Sequence, residues 1–145
     1  MRICLYHRRE MSTAPRPAEN DPSPEAPSPI VPGPLAPAQD VRMLLSTITP
    51  GKSRKIAVAL VEEGLAACVN IVPGLRSIYR WEGATCDDPE SLLIIKTRAE
   101  QVQALARRLR ELHPYEVPEL LTLTPESGLS TYLDWIAQAT GPEAE

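Results

Sequence analysis

Leu92-Leu93-Ile94-Ile95, inside the stretch SLLIIKT, sets four aliphatic residues in a row. Successive strand side chains point to opposite faces of a sheet, so a strand built on this run has two dry faces. A sheet packed on one side only would alternate apolar with polar residues instead. Ala66-Ala67-Cys68-Val69, in AACVNIV, repeats the pattern. The residues from Val41 onward supply helices for one face alone. Contiguous apolar surface of that extent marks an interface, so a second copy of the chain is expected to cover the other face.

The hydrophobic period places the remaining elements. Val41–Thr47 (VRMLLST) is a short apolar run suited to a buried strand. Thr49-Pro50-Gly51 turns the chain, and residues 52–63 carry Ile56, Ala57, Leu60 and Val61 on one helical face before Gly64 stops the helix. AACVNIV is the next strand; Pro73-Gly74 interrupts it and LRSIYRW continues extended. Residues 83–89 are read as a hairpin loop leading into SLLIIKT. Thr97 and Glu100 have capping-box spacing ahead of a helix striped by Val102, Leu105, Ala106, Leu109 and Leu112, which Pro114 ends. Leu120–Leu123 is a last strand. Leu129, Tyr132, Leu133 and Ile136 line a terminal helix, for which Ser127 is the expected cap. The order βαββαβ followed by α is the split-βαβ, ferredoxin-like α+β arrangement, with helices against an antiparallel sheet.

Nine of the sixteen prolines fall between Pro15 and Pro37. A stretch of that composition cannot bury a core, so residues 1–40 are read as a disordered, partly polyproline-like extension and residues 41–145 as one folded domain. The start MRICLYHRRE lacks the apolar segment of a secretory signal, and the four acids at Glu10, Glu19, Asp21 and Glu25 argue against a transit peptide. No apolar run reaches the ~20 residues a bilayer requires. With a net charge of -4 and one tight basic cluster, Arg107, Arg108 and Arg110, there is no electrostatic footprint for nucleic acid. The three cysteines, Cys4, Cys68 and Cys86, form no CxxC pair. They suggest neither a zinc site nor a disulfide framework, and a cytoplasmic, reducing location fits them best.

The runs LVEEGLAACVNIVPGLRSIYRWEG, LLIIKT, HPYEVPELLTL and YLDWI, in that order, resemble the CutA family of divalent-cation tolerance proteins over nearly all of residues 41–138. The resemblance implies a compact ferredoxin-like homotrimer similar in architecture to the PII signalling proteins. It also implies a part in the response to copper and other divalent ions; a non-enzymatic role is expected because the sequence carries no catalytic set. Copper-binding members of the family use a cysteine at the end of the first strand and two histidines before the Pro-Tyr pair. The matching positions here are Thr47, Leu112 and His113, so His113 alone is carried over as a metal ligand, for weakly bound Cu(II) or another divalent cation. Trp81, Lys96, Tyr115, Glu116 and Glu119 fall in blocks that the resemblance puts near the clefts between subunits. They are candidates for a pocket taking a metal ion or a small anionic metabolite, or for interface hydrogen bonds and salt bridges.

Read from the residues alone, His113 is a helix C-terminal residue whose charged form suits the helix dipole. Cys68, between Ala67 and Val69, behaves as a small buried hydrophobe. Cys86, beside Asp87 and Asp88 in the expected loop, is the more exposed thiol. Glu116 and Glu119 lie three apart, but Pro118 keeps the segment extended, so they need not face each other as an acid/base pair. No Ser-His-Asp order, phosphate-binding glycine loop or HExxH motif is present. Lys52, Arg54 and Lys55 are the solvated first turn of a helix.

Overall fold

The computed structural model describes residues 34–142 and residue 144. Six strands and three helices follow in chain order: β1 (Leu35–Pro37), β2 (Val41–Ile48), α1 (Ser53–Glu62), β3 (Cys68–Trp81), β4 (Ala84–Arg98), α2 (Val102–Leu112), β5 (Leu121–Leu123), β6 (Ser127–Leu129) and α3 (Ser130–Gln138). Short 3₁₀ turns at Pro50–Lys52 and Ala99–Gln101 lead into α1 and α2. The main sheet has the order β3-β4-β2-β5 with every neighbour antiparallel, the ferredoxin-like arrangement.

Register decides which side chains share a face. Leu45 stands opposite Ile94 and Leu121, while Leu44 stands opposite Ile95. Leu44, Ile48, Leu93 and Ile95 therefore form one face, on which Ile56 and Leu60 of α1 and Leu105 and Leu109 of α2 close the core. Seven of these eight are fully buried, and Ile56 is 2% exposed. The other face carries Met43, Leu45, Val72, Leu92, Ile94, Leu121 and Leu123. α3 packs against its Val41 end, where Ile136 joins Val41, Ala38 and Ala67 in a second, smaller core. Beyond α3 the face is open: Val72, Leu121 and Leu123 are 42%, 57% and 47% exposed.

Four sequence expectations change. The hairpin loop expected at residues 83–89 is a two-residue turn, Glu82-Gly83, both with positive φ, and β4 pairs with β3 from Ala84 onward. Pro89 is tolerated within the strand because β2 pairs with β4 only from Ser91, so the edge at residue 89 is unpaired. The capping box does not form. Thr97 is still the buried penultimate residue of β4, and its hydroxyl donates to the Leu65 carbonyl at 2.6 Å, while the Glu100 carboxylate pairs with Arg98 at 2.8 Å. Ser127 belongs to β6, so α3 begins without a side-chain cap.

The fourth change lies at the edge of the leader. Residues 35–37, expected to be extended linker, pair as β1 with β6, and Ala38 is 2% exposed in the smaller core. Residues 1–33 lie outside the described residues. The interruption at Pro73-Gly74 survives as a β-bulge between Val72 and Leu75 that leaves β3 continuous.

Gly64 closes α1 as expected, at φ +70, and a second constraint acts on it. A Cβ there would stand 2.7 Å from the Gly141 carbonyl oxygen. The backbone thus approaches closely enough for the Gly141 N–H to donate to the Gly64 carbonyl at 2.8 Å, which fixes the turn after α3 against α1.

Candidate functional site

His113 leaves the helix because Pro114 disfavours α conformation in the residue before it, and it sits extended at φ -74, ψ 133. Its imidazole is thereby turned inward, 7% exposed. The Tyr115 N–H donates to Nδ1 at 3.2 Å, so Nδ1 carries no proton, and Nε2 at 3.1 Å from the Thr47 carbonyl is the donating nitrogen. That arrangement belongs to the neutral ring, in place of the charged dipole partner read from the sequence. The Tyr115 ring packs against it with centroids 4.7 Å apart. Beyond the ring, the Tyr115 hydroxyl donates to Glu90 Oε2 at 2.7 Å and stands 3.1 Å from Thr49 Oγ1. Glu90 is fully buried. HPYEVPE is thus a corner that fastens the α2–β5 connection to the end of β2 and to β4.

Trp81, Tyr115, Glu116 and Val117 enclose a cavity of about 10 Å³, room for roughly one water molecule. The Trp81 indole Nε1 is buried there without a hydrogen-bond partner among the described residues, and so is Oε2 of Glu119 farther along the segment. Lys96 lies elsewhere. It is six residues from Glu90 along β4, about 20 Å of strand, and its 8%-exposed side chain donates to Asn70 Oδ1 on the open sheet face. Of the five candidate cleft residues, one chain brings together Trp81, Tyr115 and Glu116. Thr47, Thr49 and Glu90 complete the corner; Thr47 was placed from the sequence only as the position matching the family's cysteine ligand, and Thr49 and Glu90 were not read as site residues. The one signal for Glu90 was an acid set directly before an aliphatic strand, at the junction between the expected loop at residues 83–89 and SLLIIKT.

A tightly held divalent ion needs several converging ligands. Among the described residues no three His, Cys, Asp or Glu side chains converge in this way. Both nitrogens of His113 are engaged by its own backbone, and at the other two ligand positions stand Thr47 and Leu112. The donor set of a single chain therefore does not fit a resident metal. Cys86 is fully buried in β4, not exposed in a loop. The neighbouring Asp87 pairs with Arg76 at 2.9 Å, and Asp88 accepts from the Tyr79 hydroxyl, so both acids are tied to β3. Cys68 is a half-buried free thiol, less enclosed than expected. It lies near Tyr132, whose phenol is pushed up by burial and, secondarily, by the charge of that thiol.

Comparison with known proteins agrees with this architecture. The family model of the CutA1 divalent ion tolerance protein matches residues 42–139. The divalent-cation tolerance protein CutA of Thermus thermophilus is 50% identical over 99 residues, 68% of this chain and 96% of that protein. The chloroplastic protein CutA of Arabidopsis thaliana is 46% identical over 87 residues, 60% of this chain and 48% of that protein, so the match spans about half of the plant relative. The solved structure of CutA from Synechococcus elongatus superimposes with a TM-score of 0.71 at 42% identity, covering 74% of this chain and 96% of that one. The chain belongs to the CutA1 divalent ion tolerance family.

Proposed function

We propose that the protein works as a homotrimer in the response to divalent metal ions, copper among them, by weak cation binding or signalling at clefts between subunits and without a catalytic step. The observation that carries this reading is the open apolar sheet face with the Tyr115 corner at its margin. Thr47, whose carbonyl holds His113, stands opposite Leu92 on that face. A second copy covering Leu45, Leu92 and Ile94 would meet the corner and enlarge a cavity that holds only a water in one chain. Glu90 and Glu116 supply carboxylate oxygens at the corner, with Glu119 farther along the same segment, and such ligands suit a cation. A soft ion reaches the His113 imidazole only by breaking its bond to Thr47 or Tyr115.

A PII-like sensor of a small anion or nucleotide is the second reading. Its support is the unpartnered Trp81 N–H, a donor able to meet an anion. The carboxylates weigh against it, and Lys96, the expected cation for such a ligand, is engaged with Asn70.

Titration calorimetry with Cu(II), Zn(II) and a panel of nucleotides separates the two. The first reading predicts weak cation binding, about 10⁻⁴ M or weaker as for sparsely liganded carboxylate sites. It should be reduced in Glu116→Gln and Glu119→Gln, with no nucleotide heat. Nucleotide binding tighter than that of either cation would establish the second reading. Unchanged copper affinity in His113→Ala would remove His113 from the ligand set.

A further inference from the structure

Away from the Tyr115 corner, Arg98 at the end of β4 lines three openings on the described molecule. Three adjoining cavities of about 210, 390 and 610 Å³ share Arg98 and Ala137 as walls. Even the smallest is far above the roughly 10–15 Å³ that one water requires. β1 and the turn after it wall the smallest, through Ala36, Pro37, Ala38 and Asp40. These residues precede the segment matched by the family model, which begins at residue 42, so this wall is an addition to the matched domain.

The polar groups of the cleft fall into two sets. Arg98 donates from Nε to Thr140 Oγ1 at 3.0 Å and from Nη2 to the Thr140 carbonyl at 2.8 Å, and Nη1 pairs with Glu100 at 2.8 Å. A guanidinium has five N–H groups, so two remain for an acceptor. Asp40 and Asp134 both line the smallest cavity; the Asp40 backbone carbonyl accepts from the Ala99 N–H at 2.7 Å, but neither carboxylate has a hydrogen-bond or ion-pair partner among the described residues. With Glu100 they outnumber the single positive charge of Arg98, so a simple anion would meet net repulsion. An ammonium group would be attracted to the two aspartates, and an accepting group on the same molecule would reach the unused Arg98 hydrogens. Leu133, Ala36 and Pro37 offer apolar contact between these ends.

We propose that this cleft binds a small zwitterion of the amino acid class, its ammonium group held by Asp40 and Asp134 and its carboxylate by Arg98. The site is separate from the Tyr115 corner and does not rest on the metal-response reading. Its test is calorimetry and thermal shift of the full chain with the twenty α-amino acids, β-alanine and γ-aminobutyrate, with acetate and butylammonium as the separate halves. The expected result is saturable binding of at least one zwitterion, with acetate silent and butylammonium at least about tenfold weaker, the equivalent of one charged hydrogen bond. Asp40→Asn and Asp134→Asn, both exposed, should each weaken that binding about tenfold at unchanged melting temperature, while Trp81→Leu leaves it intact. Absence of binding by every zwitterion, equal binding of butylammonium, or binding indifferent to both aspartate variants overturns the proposal.

Discussion

Glu63, at the C-terminal end of α1, receives Nε and Nη2 of Arg108 from α2 on both carboxylate oxygens at 2.9–3.1 Å, and the same guanidinium reaches Glu111 at 3.1 Å. These hydrogen bonds first, and the charge of Arg108 second, lower the Glu63 carboxyl below its ordinary 4.5. A depressed carboxylate pKa contributes stability above its unfolded value, and the contribution is lost as pH falls through the folded one. The pair is exposed, so the effect is small and sensitive to salt. Melting curves of the wild type and Glu63→Gln should differ near pH 7 and converge as pH drops below about 4.5; a gap that persists at low pH would assign the difference to something other than this ion pair. Single-residue roles of this kind were poorly legible in the sequence. Thr97 and Glu100 had capping-box spacing, yet Thr97 remains in the strand and bonds Leu65, because the spacing does not say where the strand ends.

Among elements, the β3–β4 ribbon most changes the sequence reading. Cys86-Asp87-Asp88-Pro89 has loop composition, but cross-strand pairs with Ile78, Tyr79, Ser77 and Arg76 hold it extended. Composition describes one strand, whereas pairing depends on the partner. The turn itself costs something, since Glu82 takes φ +47, a left-handed conformation that a side chain disfavours by about 1–2 kcal/mol. Two-residue hairpin turns favour Asn-Gly, so Glu82→Asn should stabilise the fold by about 0.5–1 kcal/mol in urea denaturation. Destabilisation instead would show that Glu82 makes a contact outweighing its backbone strain. The core stripe and the helix ends set by Gly64 and Pro114 were far more legible than the starts of α2 and α3. Ile56, Leu60, Leu105 and Leu109 follow the helical period and are buried as that period requires.

For the whole molecule, the apolar run at residues 92–95 predicts two dry faces, and one of them is dry within a single chain. Leu93 and Ile95 are sealed under α1 and α2, while Leu92 and Ile94 lie on the face that α3 covers only at one end. The candidate site was legible only in part for the same reason. HPYEVPE fixed Tyr115 and His113 at a junction, but Glu90 arrives from a strand whose alignment no local pattern reveals. Substitutions should separate the two faces. Ile95→Asp buries an unpaired charge and is expected to prevent folding. Ile94→Asp should leave the circular dichroism of the subunit intact while preventing assembly. The most direct measurement is the solution mass of the wild-type chain at micromolar concentration by light scattering, with Ile94→Asp beside it. The account predicts three times the 15.9 kDa of one chain for the wild type and a smaller species for the variant. A folded wild-type monomer at that concentration would contradict it.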